Sequence, residues 1–230
     1  MEWDSLNELN ERVVACKSCE RLAEFREHVL ENSKKYSDVK FWRKPLTGYG
    51  DISGRIMIIG LAPAASGGNR TGRVFTGDKS SDFLISCLKN AGLTNQETST
   101  SKDDGLQYID SYITLAVRCV PPENKPERSE VLNCNGFLIQ ELKFMKNLNT
   151  IIVLGKIAFD SLVYALKEMG VNTKGWKFGN GNFYLANEIG VFCIFHPSPR
   201  NVNTGRITRE KFIELLNGAR EFSLSKSLKP

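Results

Sequence analysis

Short apolar runs alternate with amphipathic segments along most of the chain. Four runs rich in β-branched and apolar residues predict buried strands, at 55–60, 111–117, 150–154 and 191–195. Apolar positions at helical spacing predict helices that follow these strands, at about 80–91, 128–147, 155–169 and 208–222. Strands that alternate with helices predict an α/β fold, here a three-layer α/β/α sandwich around a central four-stranded, mainly parallel sheet.

The remaining segments are predicted from the same patterns. Helical spacing covers residues 3–14 and resumes at about 20–30, and a small hairpin is predicted at 176–185. Residues 94–107 carry almost no apolar side chains, so we interpret them as a surface insertion and not as a domain boundary. Because the chain has no internal repeat, we predict a single domain over 1–230 that ends in a flexible tail at 223–230.

A long glycine-rich loop follows the first predicted strand and ends where a helix begins. It contains Gly60, Gly67, Gly68, Gly72 and Gly77, together with Pro63. Glycines let backbone N–H groups approach a ligand closely, and the start of a helix favours negative charge. Long loops in compact domains are usually functional or disordered, and the apolar pair Val74-Phe75 is poorly suited to disorder. We therefore predict a ligand site at the carboxyl end of the sheet.

Composition and charge narrow the class of protein only a little. The chain has 230 residues, of which 41% are hydrophobic and 25% charged, as in ordinary globular proteins. It has no apolar run of about 18 residues and no secretory leader at its start, so we expect an intracellular, cytoplasmic protein without membrane association. The net charge of +5 is compatible with a nucleic-acid partner but is a weak signal by itself.

Four of the six cysteines suggest a metal centre. Cys16 and Cys19 form a C-x2-C pair, and Cys119 and Cys134 lie far away in the sequence. Four thiolates can hold either a zinc ion or a [4Fe–4S] cluster, and the spacing does not choose between them. Cys87 and Cys193 are predicted to be core residues.

His196 and Asp78 are candidate catalytic residues. His196 follows the fourth predicted strand in His-Pro-Ser-Pro, where two prolines restrict the backbone around it. Asp78 lies just before a predicted helix, so it can cap that helix as well as act on a substrate.

Three motifs in this order resemble those of the uracil-DNA glycosylase superfamily, and most closely its type B branch, also called family 5. They are GLAPAASGGNRTGRVFTGD, RCVPPENKP and HPSPRNVNTGR, and the resemblance spans about 14–208. The four cysteines are similar to the cluster ligands of that branch, which implies a [4Fe–4S] cluster with a structural role and makes zinc the less favoured occupant.

The resemblance implies base excision from DNA that contains uracil or another deaminated base. The nucleotide is flipped out of the duplex, because its N-glycosidic bond is inaccessible within the stack. By the same resemblance Phe75 stacks on the base, and His196 donates a hydrogen bond to a uracil carbonyl. Asp78 positions the water, with Asn124 as a second candidate for orienting it or contacting the base. Residues Ala62, Ala64 and Gly77 would complete the substrate site.

Further expectations concern the DNA contacts and the range of substrates. The loop at 198–203 corresponds to the wedge that fills the gap left by the flipped nucleotide, with Arg200 where a leucine is common. The predicted DNA contacts are Arg70, Arg73, Ser198, Arg200, Asn201 and Arg206. A site without a tight polar clamp on uracil should discriminate less, so hypoxanthine and xanthine are expected as additional substrates.

The expected enzyme is a monomeric, monofunctional glycosylase, since no lysine stands out as a Schiff-base nucleophile. The alternative is a catalytically silent iron–sulfur module that binds nucleic acid. It would share the basic loops and Phe75 but would not need the carboxylate of Asp78.

Overall fold

A six-stranded sheet lies in the middle of the protein, for which the computed structural model describes residues 3–226. The strands are β1 Tyr49–Gly50, β2 Ile56–Gly60, β3 Ser111–Leu115, β4 Thr150–Leu154, β5 Phe183–Ala186 and β6 Ile189–Ile194. They are ordered β1-β3-β2-β4-β6-β5, with β3, β2, β4 and β6 parallel and the two edge strands antiparallel to their neighbours. The four predicted strands therefore form the parallel centre, and two short edge strands extend the predicted four-stranded sheet to six.

Helices cover both faces of this sheet. They are α1 Leu6–Val14, α2 Glu20–His28, α3 Gly68–Thr71, α4 Lys79–Asn90, α5 Arg128–Phe144, α6 Lys156–Glu168, α7 Pro199–Asn203 and α8 Arg209–Lys226. Alternate residues of β2 point to opposite faces, so Ile58 packs in one core with α4 and α8, and Met57 packs in another with α5 and α6. This arrangement is the predicted three-layer α/β/α sandwich.

The predicted hairpin at 176–185 is wrong in its position. Strand β5 begins only at Phe183 and pairs with β6 across a turn at Asn187, whose φ is +56°. The aromatic residues before β5 have another role, because Trp176 stacks on Tyr184 with ring centroids 4.6 Å apart. The aromatic residues that led to the predicted hairpin therefore pack as stacked rings, and only those from Phe183 onward lie in a strand.

The predicted tail at 223–230 is wrong for the part that the structure describes. Helix α8 continues to Lys226, and Ser223 is buried with its hydroxyl donating to the Asn149 Oδ1 atom at 2.8 Å. Residues 227–230 lie outside the described part of the chain.

Within residues 3–226, no helix combines the length and the apolar character needed to cross a bilayer.

The topology opens a crevice at the carboxyl ends of the parallel strands. The chain leaves β2 toward β3 on one side, and it leaves β4 toward β6 on the other side. Because neighbouring strands β2 and β4 send their connections in opposite directions, their carboxyl ends form a topological switch point. The loops after β2, β3 and β6 meet there, and two of them contain the short helices α3 and α7.

Candidate active site

A cavity of about 610 Å³ lies at this switch point. The volume falls within the range of small-molecule sites and accommodates a nucleobase with part of its sugar. Loops far apart in the sequence line it, and among its lining residues are Ala62, Ala64, Phe75, Gly77, Asp78, Asn124, His196 and Ser198. The fold thus brings all the predicted catalytic and substrate-binding residues to one cavity.

The backbone of Phe75 is held in an unfavourable conformation. Its φ is +46°, in the left-handed region that a bulky side chain rarely adopts. The ring lies against Gly60, where an added Cβ atom would come within 2.6 Å of it. The rings of Phe75 and His196 have centroids 6.0 Å apart and an interplanar angle of 30°. The strained backbone and the glycine at the end of β2 place a nearly parallel pair of rings in the cavity.

Asp78 combines a structural and a potentially chemical role. Its Oδ1 atom accepts hydrogen bonds from the N–H groups of Ser80 at 2.9 Å and Ser81 at 3.1 Å, which caps helix α4. The Oδ2 atom is not used for capping and faces Gly67, where an added Cβ atom would clash with it. Burial raises the pKa of Asp78, although the capping hydrogen bonds oppose that shift. One carboxylate can therefore cap the helix and still present an oxygen to a water or a sugar.

His196 is held by its backbone and by its surroundings. The Asn201 side-chain amide donates to the His196 carbonyl oxygen at 2.9 Å, and the Ser198 N–H donates to the same oxygen at 2.8 Å. Burial lowers the pKa of His196 to about 4. The imidazole is therefore neutral at physiological pH and can donate only one ring N–H.

We expect the ring of His196 to titrate near pH 4, as followed by NMR of the histidine ring protons with His196→Asn assigning the signal. The unfolded chain takes up this proton near pH 6.5, so His196 should reduce the free energy of unfolding as the pH falls from about 6.5 toward 4. In His196→Asn that part of the acid destabilisation should be absent. A His196 signal that titrates above pH 6 would contradict the neutral-imidazole assignment.

Asn124 lies in the loop after β3 and also has a strained backbone. Both Asn124 and the preceding Glu123 adopt positive φ angles, of +57° and +54°. Asparagine tolerates this conformation better than most residues. Asn124 is exposed and lines the cavity, so its carboxamide is available to a substrate or a water.

The structure differs from the prediction for Arg73, which was expected to contact DNA. Arg73 is only 4% exposed, and its Nη2 atom donates to Asp104 Oδ2 at 2.8 Å and to Ser99 Oγ at 2.9 Å. Its Nε atom donates to Thr76 Oγ1 at 2.9 Å. Arg73 therefore ties the glycine-rich loop to the insertion at 94–107 and does not reach the surface.

The insertion itself holds the loop between Phe75 and Asp78. The Gly77 N–H donates to the Ser99 carbonyl oxygen at 2.8 Å, and the Thr76 and Ser99 hydroxyls are 2.7 Å apart. Ser99 is fully buried, although most of its neighbours in 94–107 are exposed. The surface insertion predicted from its polar composition thus has an inner side that supports the candidate site.

The other predicted DNA contacts fall into two groups. Arg70 donates from Nε to the Ser66 carbonyl oxygen at 2.7 Å, and the Ser198 hydroxyl and Asn201 amide serve the backbone around α7 and His196. Their side chains are used within the protein. Arg200 and Arg206 are exposed on and after α7, beside the cavity residue Pro199. These two exposed arginines remain predicted DNA contacts.

Lys35 and Tyr36 are among the residues that line the cavity and were missed from the sequence. They belong to a polar, basic passage without a recognisable motif. The signal that could have found them is the density of positive charge and aromatic rings in 34–44.

The four predicted cluster cysteines line one small cavity of their own. Cys16 and Cys19 come from the turn between α1 and α2, Cys119 from the loop after β3, and Cys134 from α5. Leu22, Val117 and Ala62 pack in the same cluster, and Ala62 also lines the candidate active site. The cysteines thus lie directly behind one wall of that site.

Buried positive charge surrounds these thiols. Arg26 Nη1 donates to Cys119 Sγ at 2.9 Å, and Arg118 lines the same cavity while its Nη2 atom pairs with Glu141 Oε2 at 2.6 Å. Arg26 Nε and Arg118 Nε and Nη1 are buried without a hydrogen-bond partner. Burial raises the pKa of Cys119 to about 11 and that of Cys134 to about 12. Unpartnered guanidinium donors next to thiols fit an anionic thiolate–metal group better than four neutral thiols.

Over the described range 3–226, no three His, Cys, Asp or Glu side chains are grouped so that they could hold a single metal ion. The four cysteines share a cavity wall but do not converge on one point.

The sheet topology, the glycine-rich loop and the cavity at the switch point define an α/β protein with a nucleobase-sized site at the carboxyl edge of its sheet. Residues 47–220 match the family model described as the Uracil DNA glycosylase superfamily. The chain belongs to this superfamily, and its relatives place it in the type-5 branch.

Two similar proteins of that branch cover nearly the whole chain. A type-5 uracil-DNA glycosylase of Pyrobaculum aerophilum is 41% identical over 208 residues, which are 90% of this chain and 89% of the relative. Another, from Thermus thermophilus, is 38% identical and covers 92% of this chain and 95% of its own. A type-4 uracil-DNA glycosylase of Saccharolobus solfataricus is 30% identical over 178 residues, 74% of each chain.

Proposed function

We propose that this protein is a monofunctional uracil-DNA glycosylase, which hydrolyses the N-glycosidic bond of uracil in DNA and leaves an abasic site. The observation that carries the proposal is the convergence of Phe75, Asp78 and His196 on one cavity at the switch point. Membership of the superfamily and the names of the type-5 relatives support it.

The geometry supports a water-attack mechanism on a flipped nucleotide. The extruded base enters the cavity and stacks on the ring of Phe75, since the glycosidic bond cannot be reached within the duplex. As the bond from C1′ to the base nitrogen breaks, its electron pair leaves with the base as an anion. His196, neutral and singly protonated on its ring, donates a hydrogen bond to a base carbonyl on which that negative charge grows.

Asp78 acts on the sugar side of the same bond. Its Oδ2 atom, which is not used in capping α4, orients a water toward C1′ and stabilises the positive charge that the sugar acquires. The water oxygen bonds to C1′, its proton passes to the carboxylate, and the base anion takes up a proton from solvent. Asn124 is the second group that can orient the water or contact the base, through its carboxamide.

We further propose that hypoxanthine and xanthine are substrates. The wall beside the base site is formed by Ala62 and Ala64, which have no polar side chain to leave unpaired when the base changes. Rejection of related bases relies on such unpaired polar groups, so this site should discriminate less.

The test is release of free base from duplexes that contain a single U·G, U·A, hypoxanthine or xanthine pair, followed by chromatography. We expect free uracil, and strand cleavage only after alkali reveals the abasic site. Lys35 and Lys79 line the cavity, so trapping with borohydride is the control for a lyase reaction. If the protein binds DNA but releases no base, the alternative of a catalytically silent binding module would replace the glycosylase proposal.

We propose that Cys16, Cys19, Cys119 and Cys134 hold a [4Fe–4S] cluster with a structural role. The shared cavity and the unpartnered donors of Arg26 and Arg118 support an anionic occupant. When bound, the cluster would tie the turn between α1 and α2 to the loop after β3 and to α5. Through Ala62 it would support the wall of the base site.

We expect Cys134→Ser to lose most of its iron and acid-labile sulfide, together with thermal stability. Cys193→Ser is the matched control, because Cys193 is equally buried but lies in strand β6 away from the cluster cysteines. Iron and sulfide should be measured per folded protein in both variants. Stoichiometric zinc in the wild type, or equal iron in the two variants, would rule out the proposed cluster.

A further inference from the structure

A segment next to the candidate active site carries a concentration of positive charge and aromatic rings that the proposed mechanism does not use. This basic–aromatic segment comprises residues 34–44, with the cations Lys34, Lys35, Lys40, Arg43 and Lys44 against a single acid, Asp38. Its four lysines are exposed to solvent. Its aromatic residues are Tyr36, Phe41 and Trp42, of which Phe41 is buried and the other two are partly exposed.

The segment is fixed to the site and is not a free surface loop. The backbone N–H of Trp42 donates to the Arg70 carbonyl oxygen, and the backbone N–H of Arg43 donates to the Asn69 carbonyl oxygen, both at 3.1 Å. These two bonds join the segment to the glycine-rich loop. Arg43 Nη1 also donates to the carbonyl oxygens of Glu27 and Val29 at the end of α2. The position of the lysines relative to the cavity is therefore set by the fold.

The two ends of the segment line two different cavities. Lys35 and Tyr36 line the candidate active site, and Trp42, Arg43 and Lys44 line a second cleft of about 780 Å³. That cleft is also lined by Lys17 and Arg26 and contacts the cysteine turn at Cys16. The segment thus connects the mouth of the active site to a second open cleft, with lysines near both ends.

The second cleft has the features of a site for an unpaired nucleotide. Trp42 lies over Gly72, where an added Cβ atom would be 3.1–3.2 Å from its ring, and Lys44 Nζ is 5.5 Å from the ring centroid. Aromatic rings beside cations are the usual means of binding single-stranded nucleic acid. The acids Glu11 and Glu27 line the same cleft, so phosphates are expected along the edge with Lys44 and Lys17.

We propose that the basic–aromatic segment is a second DNA-binding element, which guides the strand that flanks the flipped nucleotide from the active site into the second cleft. Its lysines bind backbone phosphates, and Trp42 stacks on an unpaired base. The proposal rests on the proposed DNA substrate, and it adds a strand path and a stacking site outside the catalytic cavity.

The first test measures how salt weakens binding of an oligonucleotide with a tetrahydrofuran abasic analogue. The variant is the triple substitution Lys34→Gln, Lys40→Gln and Lys44→Gln, titrated between 50 and 200 mM KCl. Each lost phosphate contact should reduce the magnitude of the slope of log K against log salt concentration by about 0.7 on single strands and about 0.9 on duplex DNA. We expect a reduction of about 2 on a single-stranded oligonucleotide for the triple variant.

The matched control removes the same charge elsewhere, with Lys146→Gln, Lys167→Gln and Lys174→Gln. All three lysines are exposed, and none of them lines the active site or the second cleft. The control slope should equal that of the wild type. Equal slopes in the two triple variants would overturn the proposal.

Base release by the same preparations separates this proposal from the proposed function. If the wild-type protein releases uracil but the lysine variant has the wild-type slope, only the second DNA-binding element is rejected. If the wild-type protein releases no base but the slope of the lysine variant still falls, the second DNA-binding element is retained and the glycosylase proposal is rejected.

The stacking site is tested with two lengths of single-stranded oligonucleotide, one that ends near the abasic analogue and one that extends beyond it. Trp42→Ala should weaken binding of the longer one by about 5- to 100-fold and leave the shorter unchanged, while Trp42→Phe retains most of the affinity. Trp42 packs on Gly72, so its removal can disturb the fold. A second measurement therefore keeps Trp42 in place. In Trp3→Phe/Trp176→Phe protein, the fluorescence of Trp42 should be quenched by the longer oligonucleotide only, and equal quenching by both would overturn the stacking assignment.

Discussion

Asp78→Asn is expected to lower the single-turnover rate of uracil release by about 10²- to 10⁴-fold while leaving the fold and its stability nearly unchanged. Asparagine caps helices about as well as aspartate, so its side-chain oxygen can still accept from the Ser80 and Ser81 N–H groups. It cannot accept the proton of the attacking water or stabilise the oxocarbenium-like sugar with a negative charge. The measurement is base release under single-turnover conditions together with thermal unfolding.

The pH dependence of the wild-type rate should agree with this assignment. Burial raises the pKa of Asp78, so the acid limb of the rate should lie above the usual range for an aspartate carboxyl. His196, with its pKa of about 4, stays neutral at physiological pH and should not contribute to the pH dependence there.

Asp78→Ala separates the capping role from the chemical one. It should lose the same activity and in addition about 1 kcal/mol of stability, because the cap of α4 is removed. Ser5→Ala removes the N-cap of α1, far from the cavity, and should cost a similar amount of stability with no change in base release. An Asp78→Asn enzyme with the wild-type rate would assign Asp78 to capping alone and leave Asn124 to position the water.

Asp104→Asn is expected to lower the free energy of unfolding by about 3 kcal/mol or more. The Asp104 carboxylate pairs with the Arg73 guanidinium in a setting where their side chains are only 11% and 3% exposed. Removal of one partner leaves the other charge buried and uncompensated. The measurement is the free energy of unfolding from denaturant titration.

The same substitution should slow base release per folded molecule. Arg73 and Ser99 hold Thr76 and Gly77, which connect Phe75 to Asp78, so loss of the pair loosens both candidate catalytic groups. Asp110→Asn is the matched control: Asp110 pairs with Arg55, but both side chains are about 30% exposed and lie away from the cavity. It should cost less stability and leave base release unchanged.

The acid sensitivity of this pair follows from the pKa of Asp104. Burial acts to raise that pKa, but hydrogen bonds from the Leu106 N–H and from Arg73 lower it overall. A carboxyl whose pKa is lowered on folding stabilises the native state above its unfolded value of 3.8 and loses that contribution as the pH falls through the folded value. The difference in stability between wild type and Asp104→Asn should therefore shrink only in strong acid.

Much of the fold could be predicted because its signals are local. The four central strands are continuous apolar runs, and the helices that follow them have apolar residues at helical spacing, so each element could be recognised within its own segment. The rule that parallel strands bind ligands at their carboxyl ends then predicted a site at the loops after these strands, and a cavity lies there between the loops after β2, β3 and β6. The edge strand β5 was misplaced because stacking of Trp176 on Tyr184 resembles strand pairing in a sequence pattern.

The sequence by itself determined the α/β class, the four strands of the parallel core and the motifs that resemble a glycosylase, since these depend on composition and short-range spacing. Only the tertiary structure decided that Arg73 is buried against Asp104, that Asp78 and His196 line one cavity, and that four distant cysteines share another. These features join residues that are separated in the chain by tens of positions. Their geometry is set by how the loops pack on the sheet, which no local pattern of hydrophobic and polar residues records.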